Sequence, residues 1–263
     1  MDKMLYVAMS GAKQNMQALS INANNLANAK TTGFKSDLSQ ARTMQAFGEG
    51  QPTRVFSMTE RASQNFDSGA LLTTGRPLDL AINGDGWFAV QTPETGTLGS
   101  QVGVATQGAI SSEAYTRQGN LRITEDGTLE TSNGEIVIGD NGPIVLPLPV
   151  SNIEISPDGT IMVQPEGAPI TEMEEVARIK LVNPDVRLLE KGNDGLFRRK
   201  DGQVEEADAM VQVRGGTLES SNVNPISEMT DMIALQRQFE MHLKLMKTAE
   251  EIDSASSALL RAF

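Results

Sequence analysis

The chain contains no cysteine and only one histidine, His242, among its 263 residues. The absence of cysteine excludes disulfide bonds, thiolate metal sites and cysteine nucleophiles. A single histidine excludes a histidine-cluster metal site, and we interpret His242 as a helix-surface residue rather than a member of a catalytic triad. We therefore expect no cofactor and no metal.

Basic clusters and long apolar runs are also scarce. The longest basic run is Arg198-Arg199-Lys200, and 34 acidic against 22 basic residues give a formal net charge of -12. Nucleic-acid binders normally present a basic face, so we expect no nucleic-acid partner. No stretch approaches the length of a membrane span. The start does not resemble a signal-peptide core, because polar residues 13–15 interrupt it.

Motifs that could carry catalysis or ligand binding are incomplete. The neighbouring acids Glu174-Glu175 and Glu205-Glu206 would point apart, which does not suit an acid and base pair. Residues 84–87, Gly-Asp-Gly-Trp, lack the Lys-Ser/Thr ending of a phosphate loop. The Asp-Gly pairs at 126 and 158 lack the alternating acidic ligands of a calcium loop. We predict that the protein is not an enzyme and has no small-molecule substrate.

What the sequence does contain is an apolar stripe near each end. The first follows steps of three and four residues through Leu5, Met9, Ala12, Met16, Leu19, Ala23 and Leu26. This spacing predicts a helix over residues 3–30 with one narrow apolar seam. It would end at Thr31-Thr32-Gly33, where the glycine suits a left-handed position. Asn22, Asn24, Asn25 and Asn28 flank this seam, and their amides can fix register by hydrogen bonding to a neighbour.

The second stripe runs through Met232, Leu235, Phe239, Leu243, Met246, Ala249, Ile252 and Leu259. Asn224 is a favoured helix N-cap, and Pro225 suits the first helical position. A helix is therefore predicted from Pro225 to Phe263. Because a narrow apolar seam requires a cover, we expect both helices to pack against each other or against other subunits.

The middle of the chain has a different character. Residues 34–75 keep neither helical nor strand periodicity for long, which indicates an extended connector with short pieces of structure. Residues 76–216 contain many short strand patterns separated by turn signals, including the two Asp-Gly pairs, and predict an antiparallel β domain. Residues 91–112 are rich in Thr, Gly, Ser and Gln and resemble a surface excursion of unassigned role.

The predicted fold class is α+β. Paired N- and C-terminal helices would form a coiled-coil-like inner domain, and a central antiparallel β domain would complete the molecule. The predicted division is an N-terminal assembly helix at 1–33, the connector at 34–75, the β domain at 76–216 and the C-terminal assembly helix at 217–263.

Two terminal motifs resemble the bacterial flagellar axial proteins, the family of rod, hook and hook-filament junction subunits. Residues 23–35, ANNLANAKTTGFK, resemble that family's N-terminal signature. Residues 216–224, GTLESSNVN, resemble the approach to its C-terminal helix, and residues 228–233 and 236–240 resemble the helix itself. Residues 76–82, 85–88, 115–120 and 137–139 resemble the β domain that rod and hook proteins share. The chain length favours a rod protein over the longer hook protein, and Gln238-Phe239 favours a proximal over a distal rod subunit.

The resemblance implies a structural subunit of the flagellar rod, in the basal body and periplasmic space. Such a subunit would leave the cytoplasm through the flagellar type III export apparatus without a cleaved signal peptide. It would assemble with copies of itself and neighbouring rod proteins into a helical tube that transmits torque and surrounds the export channel. The alternatives are a distal rod or hook-type subunit, a cell-wall hydrolase and a secreted fibre subunit. The expected assembly interface comprises Leu5, Met9, Met16, Leu19, Asn24, Asn25, Leu26, Asn28, Gly33, Phe34, Asn222, Asn224, Met232, Leu235, Phe239, Leu243 and Met246.

Overall fold

The computed structural model describes residues 2–45, 55–59, 63–92, 113–167 and 173–261. The chain forms two compact units. The first, the helical unit, contains residues 1–29, 35–65 and 223–263, and the second, the β unit, contains residues 30–34 and 66–222. Residues 35–65 of the predicted connector thus belong to the helical unit. Most of the predicted surface excursion, residues 93–112, lies outside the described residues.

The helical unit is built on α1, Asp2–Ala27, and α2, Pro225–Arg261. Helix α1 ends before the predicted residue 30, because its last turn tightens: the backbone N–H of Asn28 donates to Asn24 and Asn25, both at 3.1 Å. Helix α2 begins where the sequence predicts. The side-chain oxygen of Asn224 accepts from the backbone N–H of Ile226 at 3.1 Å, as an N-cap does.

The two helices lie side by side and antiparallel. Asn25 Nδ2 donates to Glu228 Oε1 at 3.4 Å near one end of the contact. Farther along, the imidazole of His242 lies over Gly11, so close that a Cβ on Gly11 would be 2.6 Å from Cε1. Between these two contacts the residue numbers rise along α1 and fall along α2, which fixes the opposite directions.

Four short strands complete the helical unit. They are β1 Asp37–Leu38, β2 Ala41–Gln45, β3 Val55–Thr59 and β4 Ser63–Gln64. Strand β1 pairs with β4, and β2 pairs with β3, both antiparallel. The backbone N–H of Ser57 in β3 donates to Ser10 Oγ at 3.4 Å, so this hairpin lies against α1.

The β unit holds the remaining described strands. They are β5 Leu71–Thr73, β6 Leu80–Asn83, β7 Trp87–Gln91, β8 Glu113–Thr116, β9 Leu121–Ile123, β10 Leu129–Thr131, β11 Ile136–Gly139, β12 Gly142–Pro143, β13 Val150–Ile155, β14 Thr160–Pro165, β15 Glu174–Arg178, β16 Leu181–Val182, β17 Leu189–Lys191, β18 Phe197–Arg199, β19 Gln212–Gly215 and β20 Thr217–Glu219. The largest sheet has the order β17-β18-β8-β7-β11-β10-β9, with β12 on β11 and β16 on β7. Strands β13-β14-β15 form a second sheet, and β19-β6 and β20-β5 form two pairs. The pairings are antiparallel, so the predicted fold class, α+β with a central antiparallel β region, is confirmed.

Strand β7 contributes to separate apolar clusters on its two faces. Its side chains alternate between faces, and both faces are buried. Phe88 joins a cluster that contains Leu80, Leu129 and Ile161. Trp87 joins a cluster on the opposite face, in which its ring centroid lies 4.6 Å from that of Phe197. A strand buried on both faces requires the unbroken apolar run that residues 87–90 provide.

Both Asp-Gly pairs form the predicted hairpin turns. Gly127 and Gly159 have φ values of 82° and 86°, which a side chain would disfavour. The first turn joins β9 to β10, and the second joins β13 to β14. The turn at 83–86 also connects two strands, but these do not pair: β6 pairs with β19, whereas β7 lies in the large sheet.

Candidate assembly site

The apolar residues of the expected interface divide into two groups by burial. The half-buried group consists of Leu19, Leu26, Met232, Leu235, Phe239 and Met246. On α2 its members share a face with Glu228 and His242, which contact α1. Part of the seam therefore packs inside the helical unit. The exposed group consists of Leu5, Met9, Met16 and Leu243, of which Met16 retains 59% of its surface.

The buried face of α1 differs from the stripe that hydrophobicity indicates. It carries small residues and amides: Ala8, Ala12, Gln14, Asn15, Ala18 and Asn25. Small side chains allow close approach of two helices, and the imidazole over Gly11 uses that space. Of the large side chains in the predicted stripe, Leu5, Met9 and Met16 lie beside this face and are exposed, whereas Leu19 and Leu26 are half-buried. Hydrophobic periodicity indicates the stripe of Leu and Met because Ala and Gly contribute little to it.

Helix α2 presents further large apolar side chains to solvent that lie outside the predicted stripe. They are Ile226, Met229, Ile233, Met241 and Leu245. The first three follow steps of three and four residues, so they share one face of the helix. Leu243 follows His242, which faces Gly11, and it therefore lies at the level of the exposed Met9. In the sequence, these further residues form a second apolar stripe that is offset by one position from the predicted stripe.

The asparagines at the end of α1 have different surroundings. Asn25 is only 2% exposed, and its side-chain amide pairs with the backbone of Asp37: Oδ1 accepts the N–H and Nδ2 donates to the C=O, both at 2.9 Å. This side chain thus holds the connector against both helices. Asn24 is exposed, and Asn28 is half-buried with its Nδ2 donating to the Asn24 carbonyl at 2.9 Å.

Burial raises the pKa of the Glu228 carboxyl, which also accepts from Asn25. A carboxylate there is partly removed from water, and the hydrogen bond and the nearby Asp231 act in opposite directions on its pKa. The contact between Asn25 and Glu228 is therefore a hydrogen bond that links the two helices rather than an ion pair.

The remaining expected residues, Gly33, Phe34 and Asn222, lie at a junction within the β unit. We use this name for residues 30–34, 66–70 and 219–222. The backbone N–H of Gly33 donates to the carbonyl of Glu219 at 2.8 Å, and the N–H of Asn222 donates to the carbonyl of Phe34 at 3.3 Å. Asn222 Nδ2 also donates to the carbonyl of Asp67 at 3.0 Å. Three separate segments of the chain therefore meet here.

Glu219 is the buried acid at the centre of this junction. Its side chain is 2% exposed, and Oε2 accepts from Arg117 Nη1 at 3.0 Å. Oε1 accepts the backbone N–H of Gly69 at 2.9 Å. Arg117 in turn donates to the carbonyl of Gly84 at 2.9 Å and lies 5.4 Å from the ring centroid of Trp87. Sequence reasoning missed this pair because its members are 102 positions apart.

Phe34 lies next to the junction glycine and is held from one side by a cation. Nζ of Lys191 lies 4.0 Å from the centroid of its ring, a distance at which an ammonium group is attracted to an aromatic face. The Thr-Gly-Phe turn that the sequence singles out is therefore a docking element of the β unit.

A cavity of about 550 Å³ lies between α1 and β3 in the helical unit. It is lined by Tyr6, Met9, Ser10, Lys13, Gln17, Phe56, Ser57 and Met58. Among the described lining residues Lys13 is charged, and the others are apolar or neutral. Across the residues that the structure describes, no three His, Asp or Glu side chains are grouped to hold a metal ion. None of the described helices is long and apolar enough to cross a membrane.

Three family models match consecutive parts of the chain. The model described as flagella basal body rod protein matches residues 5–35, and that of the flagellar hook protein FlgE/F/G D1 domain matches residues 81–163. The model of the flagellar basal body rod FlgEFG protein C-terminal region matches residues 214–259. The flagellar basal-body rod protein FlgF of Escherichia coli is 36% identical over 266 residues, which cover 99% of each chain. The chain belongs to the flagellar basal-body rod protein family.

Other members of this family separate the two rod types. FlgF of Salmonella typhimurium is 37% identical over 266 residues, covering 99% of each chain. The rod protein FlgG of Bacillus subtilis is 30% identical over 270 residues, covering 94% of this chain and 95% of that protein. The chain is more similar to these FlgF proteins than to FlgG of Bacillus subtilis, which confirms the predicted choice of rod type within the family. The chain is a structural protein of the flagellar basal-body rod.

Proposed function

We propose that this rod subunit polymerises through the outer faces of its two terminal helices. The assembly helices at 1–33 and 217–263 form the inner layer of a helical tube around the export channel, and the β domain at 76–216 lies outside. The connector at 34–75 joins them. The observation that carries this proposal is the set of large apolar side chains exposed on both helices, above all Met16 and Ile233.

Burial energy supports an interface at this surface. Fully burying a Leu, Ile or Met side chain contributes about 1.5–3 kcal/mol, so a side chain that is still half exposed retains about half of that for a partner. Met9, Met16, Leu243 and Ile233 are each about half exposed. Contacts between different patches on neighbouring copies propagate helically rather than closing into a dimer, as a rod requires.

We extend the proposal to pairing, partners and location. The antiparallel helix pair forms a coiled-coil-like unit, and expected interface residues that face inward, such as Phe239, hold it together. The partners are copies of this chain and neighbouring rod proteins, and the growing rod crosses the periplasmic space while transmitting torque. The chain reaches the rod through the flagellar type III export apparatus without a cleaved signal peptide. Membership of the rod protein family supports the proposed partners and the location in the rod.

The experiment places a charge on the exposed apolar surface. Met16→Glu and Ile233→Glu, expressed in cells that lack their own copy, should abolish incorporation into isolated basal bodies and abolish swimming. Met210→Glu is the matched control, because Met210 is 86% exposed but belongs to the β unit. Circular dichroism of the purified chains verifies folding. Incorporation of both helix variants at the level of the control would refute the proposal.

A further inference from the structure

The chain crosses between its two units four times, and each crossing lies at the end of one of the three junction segments. Residues 30–34 follow α1, residues 66–70 lie in the connector, and residues 219–222 precede α2. We infer that Glu219 is a positioning residue that couples these three segments, so that they hold or release together. This inference rests on the proposed function, in which load passes along these segments between the helices and the β domain.

Each segment is bound to Glu219 or to its immediate neighbours. The carboxylate accepts the Gly69 N–H, and the backbone carbonyl of Glu219 accepts the Gly33 N–H. The next residue, Ser220, donates its N–H to the carbonyl of Ala70 at 2.8 Å. A single residue thus binds one segment through its side chain and another through its main chain.

The surroundings of Glu219 leave little freedom for movement. Glu219 and Arg117 have side-chain exposures of 2% and 4%, and a buried carboxylate that loses its cation partner is strongly disfavoured. Gly33 and Gly69 bring backbone against backbone: a Cβ on Gly69 would lie 1.9 Å from the Ser220 carbonyl oxygen. Loosening one segment therefore moves atoms that the others contact.

The charge of Glu219 is required because its two oxygens serve different donors. Both Arg117 Nη1 and the Gly69 N–H need an acceptor. In Glu219→Gln one of these donors would face the amide NH₂, which cannot accept. The isosteric variant therefore leaves one of the two donors without an acceptor and removes the negative charge beside Arg117, while it preserves shape and volume.

The test is amide hydrogen exchange on the full-length chain, comparing wild type with Glu219→Gln. We expect exchange at Gly33, Gly69 and Asn222 to accelerate together by at least about tenfold, because local opening exposes all three amides at once. Exchange in strand β7 should remain unchanged. Glu113→Gln is the matched control: Glu113 is also a buried carboxylate, paired with Lys180 at 2.9 Å, and it should leave the three junction amides unaffected. Acceleration at Gly69 alone would overturn the inference.

A measurement on the wild type covers the case in which the variant does not fold. In low concentrations of denaturant, the three amides should follow one opening transition, distinct from that of the β7 core. Three different transitions would overturn the inference.

An assay in cells distinguishes this inference from the proposed function. Glu219→Gln leaves the exposed helix faces intact, so it should enter basal bodies at wild-type levels yet reduce swimming in viscous medium. Wild-type swimming speed at every viscosity, or failure of only this variant to incorporate, would overturn the inference. The helix-face variants test the proposed function independently of either outcome.

Discussion

Replacing Gly33 by alanine tests how tightly the Thr-Gly-Phe turn is held. Its φ is 67°, and an added Cβ would lie 2.3 Å from the carbonyl carbon of Arg117 and 2.5 Å from the backbone nitrogen of Gln118. These are main-chain atoms, which cannot rotate away as a flexible side chain can. The turn must move, and with it the 2.8 Å hydrogen bond to the Glu219 carbonyl.

The expected cost has three parts. A left-handed conformation costs a non-glycine residue about 1–2 kcal/mol. Steric overpacking adds about 1–3 kcal/mol, and a weakened hydrogen bond adds about 0.5–1.5 kcal/mol. We therefore expect Gly33→Ala to lower the free energy of unfolding of the β unit by about 3–5 kcal/mol, a large fraction of a typical total of about 5–15 kcal/mol.

Gly75→Ala is the matched control. Gly75 has nearly the same φ, 74°, but no atom lies within 4 Å of its added Cβ. It should cost about 1–2 kcal/mol, the conformational part alone. Urea unfolding followed by the fluorescence of Trp87, the one tryptophan in the chain, measures both variants. Equal destabilisation by the two substitutions would refute the argument from close backbone approach.

Three further predictions concern single side chains. Asn25→Ala should cost about 2–4 kcal/mol in chemical denaturation followed by circular dichroism, because it removes two buried hydrogen bonds to the backbone N–H and C=O of Asp37. Asn24→Ala, on the exposed side, should change stability by less than about 0.5 kcal/mol. Asn224→Ala should cost about 1 kcal/mol and accelerate amide exchange in the first turn of α2, and unchanged exchange there would contradict its capping role. Burial raises the pKa of Glu135 above 4.5, so the folded state disfavours its charged form. Glu135→Gln should therefore be more stable than wild type at pH 7, and the difference should shrink as the pH falls through the raised pKa toward 4.5; a difference that is independent of pH would contradict this.

Features set by neighbours in the sequence could be predicted, and features set by distant pairs could not. The turns at Gly127 and Gly159 and the cap at Asn224 depend on a few consecutive residues, and they form as predicted. The Asn-rich end of α1 was predicted to fix packing through hydrogen bonds, and Asn25 makes them, although to Asp37 and Glu228 of the same chain.

Two features that the sequence did not predict have a common physical origin. The buried face of α1 depends on small residues such as Ala8 and Gly11, whose value lies in the room they leave for His242. The ion pair of Arg117 and Glu219 depends on strands that only the fold brings together. Hydrophobic periodicity records neither close approach nor the meeting of distant segments.

The helical unit is discontinuous in sequence, which affects the order in which the chain can fold. Asn25 and Glu228, which join the two helices, are 203 positions apart. Closing so long a loop carries an entropic cost, and contacts of high sequence separation form slowly. A ribosome that has made α1 must still synthesise almost the whole chain before α2 exists to cover it. Helix α1 is therefore made long before its partner, which keeps the growing chain without its helical unit until α2 has been synthesised.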